Sequence, residues 1–214
     1  MPTYFVKGEQ NDEKSYYEIV LLAFLDAMGF ARRSSKSLES LFPIVLNRYI
    51  STIKNFQTAR EKLGLKIGGS KIIEGTALDL PLENNSIDGV ITSPPYSFAI
   101  DYVDNDEPQL KYLGYDPIKL KTSMIGLQGR GITEKLDLYF DMLDKVFAEL
   151  ARVTKKGTKT IFVVGTNDIQ TKGVRLEGKI KELAKGQKFK FLSEILKPIK
   201  GLQNTMKEEY ILIF

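Results

Sequence analysis

Two short apolar runs, Ile87 to Thr92 and Thr160 to Val164, are separated by a stretch, Glu134 to Ala151, in which Leu136, Phe140, Leu143, Val146, Phe147 and Leu150 recur at three- and four-residue steps. That spacing predicts a helix with one apolar face. Cations and a glycine at Lys155-Lys156-Gly157 suit its C-terminus. A strand, a long crossover, a helix and a second strand predict parallel pairing with helices laid on the sheet. Further strand candidates are Lys71 to Glu74, Phe189 to Leu196 and Glu209 to Phe214, with a second helix at Leu176 to Lys185. The expected class is α/β, with a doubly wound, mostly parallel sheet.

The N-terminal third reads differently. Tyr16, Ile19, Val20, Ala23, Phe24 and Ala27 mark one face of a helix over Lys14 to Met28, which ends at Gly29. A second helical region runs from Ser37 to Leu63, with a break expected near Pro43. Lys66-Ile67-Gly68-Gly69-Ser70 reads as a linker. The expected division is a helical segment over 1–68 and an α/β domain over 69–214. The chain shows no internal repeat and no low-complexity tract.

Composition removes several function classes. The longest apolar stretch, Ile19 to Leu25, is far short of the roughly 20 residues that span a bilayer. The N-terminus has no basic segment followed by an apolar one, so a cytoplasmic location is expected. With no cysteine and no histidine, thiolate or imidazole metal sites, disulfides and histidine-activated nucleophiles are excluded within the chain, and no metal is expected. The net charge is +4, but it is unevenly placed: Lys71 to Ala151 carries 14 acidic and 7 basic side chains, and Arg152 to Phe214 carries 14 basic and 6 acidic ones. The basic third would face phosphates or form a solvated lysine-rich surface.

The run Ile87 to Thr92 stops at Ser93-Pro94-Pro95-Tyr96. Open α/β sheets bind ligands beyond the carboxyl ends of their strands, which is where this corner falls. The prolines fix φ and remove two amide donors, so the Ser93 and Pro94 carbonyls can be held outward. Such a rack suits an exocyclic amino group, with Tyr96 stacked on its base. A plain Pro-Pro turn packed under an aromatic ring would use the same residues.

The run from Lys71 through Glu74-Gly75-Thr76-Ala77-Leu78-Asp79 and on to Ser93-Pro94-Pro95-Tyr96 resembles the S-adenosylmethionine-dependent DNA amino-methyltransferases. The Ser-initial tetrapeptide resembles the catalytic motif of their cytosine-N4 branch. Tyr112-Leu113-Gly114, Arg152-Val153-Thr154-Lys155-Lys156-Gly157, Val164-Gly165-Thr166-Asn167 and Lys207 to Phe214 resemble the later part of such a domain. The resemblance implies an incomplete Rossmann-like methyltransferase fold over about Lys71 to Phe214. It also implies methyl transfer from S-adenosylmethionine to the amino group of a flipped DNA base, with an RNA base as the second choice. Ser93, Pro94, Pro95 and Tyr96 would be catalytic, and Gly75, Thr76, Asp79 and Thr92 would meet the cofactor. Asp101, Tyr102 and Arg130 would meet base or backbone, Arg130 within Ala99 to Arg130, read as a long, mobile or nucleic-acid-facing loop. Asp101 and Tyr102 would equally be a surface carboxylate and a core ring.

The family's glycine-rich cofactor loop has no counterpart here. Thr76 stands where an acidic residue is usual, and Asp79 is either its stand-in or a turn residue. The missing strands would leave sheet edges unpaired. A second polypeptide, an intertwined homo-oligomer or a non-catalytic nucleic-acid-binding remnant would each account for that. Lys14 to Leu65 is similar to a helical insertion of full-length relatives, and also serves as simple sheet cover.

Overall fold

The structure, a computed structural model, describes residues 3–6, 12–95, 101–166, 171–199 and 208–214. The chain divides into two compact units: residues 1–74 with 103–117, and residues 75–102 with 118–214. The segment 103–117 thus returns to the N-terminal unit from far along the sequence.

In the first unit, helices α1 (Asp12–Arg32) and α2 (Leu38–Leu63) pack as a pair around Ala23, Ala27, Leu41 and Val45. The Ser37 hydroxyl accepts the Ser40 amide at the start of α2. At its end Gly64 takes φ +61, letting the Gly64 and Leu65 amides reach the Glu61 and Arg60 carbonyls. Pro43 does not break α2, contrary to expectation. Its ring lies on an exposed face near the start of the helix, and only the bond it would have donated is lost. Strand β1 (Thr3–Val6) pairs antiparallel with β2 (Ser70–Ile73) in a two-stranded sheet. This overturns the reading of Lys71 to Glu74 as the first strand of the main sheet. All four β2 residues are exposed, so no buried face holds the strand to a larger sheet.

The second unit holds a four-stranded sheet in the order β3 (Ile87–Thr92), β4 (Thr154–Thr166), β6 (Glu208–Ile213), β5 (Ser193–Pro198). The pair β3 and β4 is parallel, as the crossover demanded. The other two pairs are antiparallel, so the sheet is mixed rather than mostly parallel. Helices α6 (Gly131–Val153) and α7 (Leu176–Gly186) share one core with Phe162, Val164, Tyr210, Leu212 and Phe214. Both therefore lie on the same sheet face, and the doubly wound expectation is corrected. On the opposite face Ile161, Val163, Ile211 and Ile213 are only half-buried, and Ile91 on the edge strand β3 is 80% exposed. Phe189 enters the core before β5 begins, which shortens the predicted Phe189 to Leu196 strand.

Residues 101–130 are not one long loop. They contain the short helices α3 (Tyr102–Asn105), α4 (Glu107–Tyr112) and α5 (Pro117–Ser123).

The approach to β3 is held from α6. The Arg152 guanidinium donates to the Leu80 and Leu82 carbonyls at 2.8 Å and to Asn84 Oδ1 at 2.9 Å. It also forms a fork with the Glu149 carboxylate, which accepts the Leu80 amide at 2.7 Å. The bond from Arg152, followed by the Leu80 amide, lowers the Glu149 pKa to about 2. A carboxyl lowered on folding stabilises above its unfolded value and loses that contribution as pH falls toward its folded value. The stability of this unit should therefore fall between about pH 4.5 and about pH 2. Glu149→Gln should flatten that limb in urea melts recorded across the range; an unchanged limb would assign the acid sensitivity elsewhere.

Candidate functional site

Ser93 leaves β3 beside Val163 of β4, and its hydroxyl donates to the Val163 carbonyl at 3.2 Å. The hydroxyl proton is thereby committed to the sheet, so toward an amino group the oxygen acts as acceptor. Pro94 is buried and Pro95 half-buried. The Pro95 carbonyl accepts a 2.7 Å hydrogen bond from the hydroxyl of Tyr139, a fully buried residue of α6. That carbonyl is occupied, and it is not one of the two, Ser93 and Pro94, that the sequence reading singled out. Tyr96 lies outside the described residues, as do Asn167 and Lys207.

An open cleft of about 550 Å³ adjoins the corner. Gly75 to Leu78 form one wall, Pro95 another, and Met124, Ile125 and Met142, with the polar Ser123 and Gln128, the remainder. The structure thus brings two of the expected cofactor residues, Gly75 and Thr76, together with one residue of the corner. A Cβ at Gly75 would meet nothing within 4 Å, so no neighbour there demands a glycine. The Thr76 hydroxyl accepts the Leu78 amide at 3.2 Å and the Thr76 carbonyl the Asp79 amide at 3.3 Å, a tight side-chain-braced turn. Asp79 closes that turn, acts electrostatically on Arg152, and is not among the cleft lining. Thr92, the last residue of β3, pairs with Phe162 and is not among the cleft lining.

The base and backbone candidates are spread out. Asp101 pairs with Lys121 of α5 at 3.0 Å. Tyr102 begins α3 with its ring exposed. Arg130 is an exposed residue at the start of α6, where its amide donates to Glu134 Oε2 at 2.6 Å. Gly129 before it takes φ +100, and a Cβ there would press on the Lys135 amide at 3.1 Å, so this approach to α6 requires glycine.

Sequence reasoning missed Tyr139. Its place one residue before Phe140 on the inward face was the available signal, but periodicity does not distinguish a core ring from a hydroxyl aimed at a turn. It also missed Arg175, Glu177, Glu208 and Tyr210. These interlock at the end of β4 nearest the corner, where burial and then the Glu208 carboxylate push the Tyr210 pKa up to about 12.

No family model matches the chain. Over 97 residues it is 32% identical to the type II methyltransferase M.MjaVI of Methanocaldococcus jannaschii, covering 43% of this chain and 50% of that protein. Among solved structures, TTHA0409 of Thermus thermophilus, a candidate DNA modification methylase complexed with S-adenosyl-L-methionine, is 20% identical with a TM-score of 0.37. That alignment covers 62% of this chain and 46% of the other; a further structure of the same protein gives a TM-score of 0.36. The chain spans about half the length of the relatives it matches. Over the matched residues, it is similar in sequence to a type II methyltransferase.

Proposed function

We propose that this chain carries the amine-holding half of an S-adenosylmethionine-dependent DNA methyltransferase of Rossmann-like descent, acting on the exocyclic amino group of a flipped base, cytosine N4. The observation that carries this reading is the corner itself. Two prolines, one buried, lie between a Ser93 hydroxyl bonded to Val163 and a Pro95 carbonyl bonded to Tyr139, at the carboxyl end of a parallel strand. The similarity to a type II methyltransferase supports it.

The cleft fits the cofactor in part. Its volume suits a small ligand, and its mostly apolar lining with a few uncharged polar side chains suits adenosine. Gly75, Thr76, Ile125 and Met142 would hold that end. Among the described residues the lining contains no charged side chain for an α-amino acid end. When bound, S-adenosylmethionine supplies an electrophilic methyl group. The chain's own part is positioning: Ser93 Oγ and the Pro94 carbonyl accept the amino N–H bonds, aim the nitrogen lone pair and stabilise the positive charge that develops on it. Tyr96 would stack on the base.

The β3 edge, unpaired among the described residues, and the half-buried face beyond it favour a second polypeptide that completes the sheet and the cofactor site. Calorimetric titration of S-adenosylmethionine into the chain, alone and with its co-purifying proteins, tests this together with transfer of labelled methyl to DNA. Label recovered in N4-methylcytosine is the expected result, and label in N6-methyladenine would correct the base. Cofactor binding with no transfer under either condition would overturn the reading. The neutral cleft favours a second reading, a non-catalytic nucleic-acid-binding subunit, which predicts no cofactor binding in either arm.

A further inference from the structure

At the opposite end of the second unit, the N-terminal end of β4, an open hollow of about 520 Å³ is ringed by Lys155, Lys156, Lys159, Lys188 and Lys190. Two separate chain segments supply them. The first is a bulge: Ile87 pairs with Thr154 and Gly89 with Lys159, so Lys155 to Thr158 stand opposite Asp88 alone. Such an insertion re-aims side chains out of the ladder, and Gly157 at φ +81 makes this one possible. The second is the connection from α7 to β5, in which Lys188 adopts φ +66. That left-handed position after a helix is where glycine or asparagine is favoured, and a lysine there is held against its preference.

Lys155 is neutralised by Asp88 at 2.6 Å. Among the described residues Lys156, Lys159, Lys188 and Lys190 form no ion pair. The floor is apolar, with Phe189, Leu192 and Phe214. A rim of spaced ammonium groups around a wide, shallow hollow does not converge on one phosphate. It matches a repeating anion whose sugars can rest on apolar surface.

We propose that this hollow is a second nucleic-acid site, which holds the phosphodiester backbone independently of sequence. β3 has six residues, so the hollow stands roughly 20 Å from the Ser93 corner along the strand. The two sites are distinct, and this one takes a nucleic-acid segment away from any base held at the corner. Two tethered contacts raise the effective concentration of each, so the hollow would keep the chain on nucleic acid between encounters with its base.

Fluorescence anisotropy of a labelled short DNA duplex, and of an RNA duplex of the same sequence, measured across a salt series, tests the site without any methyl transfer. Its outcome therefore does not depend on the corner. Lys156→Ala, Lys159→Ala, Lys188→Gly and Lys190→Ala combined should lower the salt slope by roughly one unit for each phosphate that a removed ammonium group had neutralised, and weaken binding at least about tenfold near physiological salt. Similar losses on both duplexes identify the backbone as the ligand; loss on one alone assigns the hollow to that nucleic acid. Lys188→Gly alone should keep or raise Tm while still weakening binding, which separates the site from the fold. An unchanged slope in the folded quadruple variant would overturn the proposal. So would competition by inorganic tripolyphosphate as effective, charge for charge, as the duplex.

Discussion

Ser93→Ala is expected to lower the proposed methyl transfer by about two to three orders of magnitude, the range seen when one aligned hydrogen-bonding group is removed from a reacting centre. The substitution deletes the oxygen proposed to accept from the amine together with the bond to the Val163 carbonyl, which lies beyond the last β3 pairing with β4. That bond belongs to an exposed residue, so its loss leaves the unit folded with little change in Tm. The effect should fall on kcat. Tyr139→Phe provides the graded comparison: it keeps the ring in the core and releases the Pro95 carbonyl. The corner then loses that hold, and the loss of kcat should be smaller. Full activity in Ser93→Ala with Tyr96→Ala would remove this corner from the chemistry.

Phe147→Ala should be the most damaging single change to stability, at about 3–5 kcal/mol in denaturant unfolding of the second unit. Phe147 is fully buried and stacks on Phe162 with centroids 4.6 Å apart. Phe189 and Phe214 meet it edge-on at 5.6 and 6.1 Å. These rings join α6 to β4, to the residue that follows β6 and to the segment after α7, so the cavity cannot close by moving one element. Phe147→Leu, which refills part of the space, should cost markedly less. Equal losses for both would point to ring–ring geometry rather than volume as the source of the stability.

Much of the second unit was legible from periodicity. The apolar steps from Leu136 to Leu150 gave α6 to within a few residues of its ends, and the crossover required the parallel pairing of β3 with β4. Leu176 to Lys185 gave α7 almost to the residue. Periodicity failed for Lys71 to Glu74, because a four-residue strand carries no record of its partner, and that partner proved to be Thr3–Val6. It failed again on sheet direction. A strand reads the same whether its neighbour runs up or down, and the return of β6 between β4 and β5 is a property of the connections.

The corner was legible because proline acts locally: two in succession fix φ and remove donors whatever surrounds them. What holds the corner was not legible. Tyr139 and Val163 lie 44 and 70 residues from their partners, and each reads as an ordinary core position until the chain folds. The basic balance after Arg152 was likewise visible as a count, but not as a site. A bulge in β4 and a lysine in left-handed backbone bring those charges around one hollow. By itself, then, the sequence determined the elements whose physics is local: the helical faces, the proline stop at the end of β3, and the absence of any imidazole or thiol. Tertiary structure alone decided which strands are neighbours, which sheet face carries the two helices, and which distant hydroxyls and ammonium groups converge. Those depend on contacts between residues far apart in the chain, for which no short pattern exists.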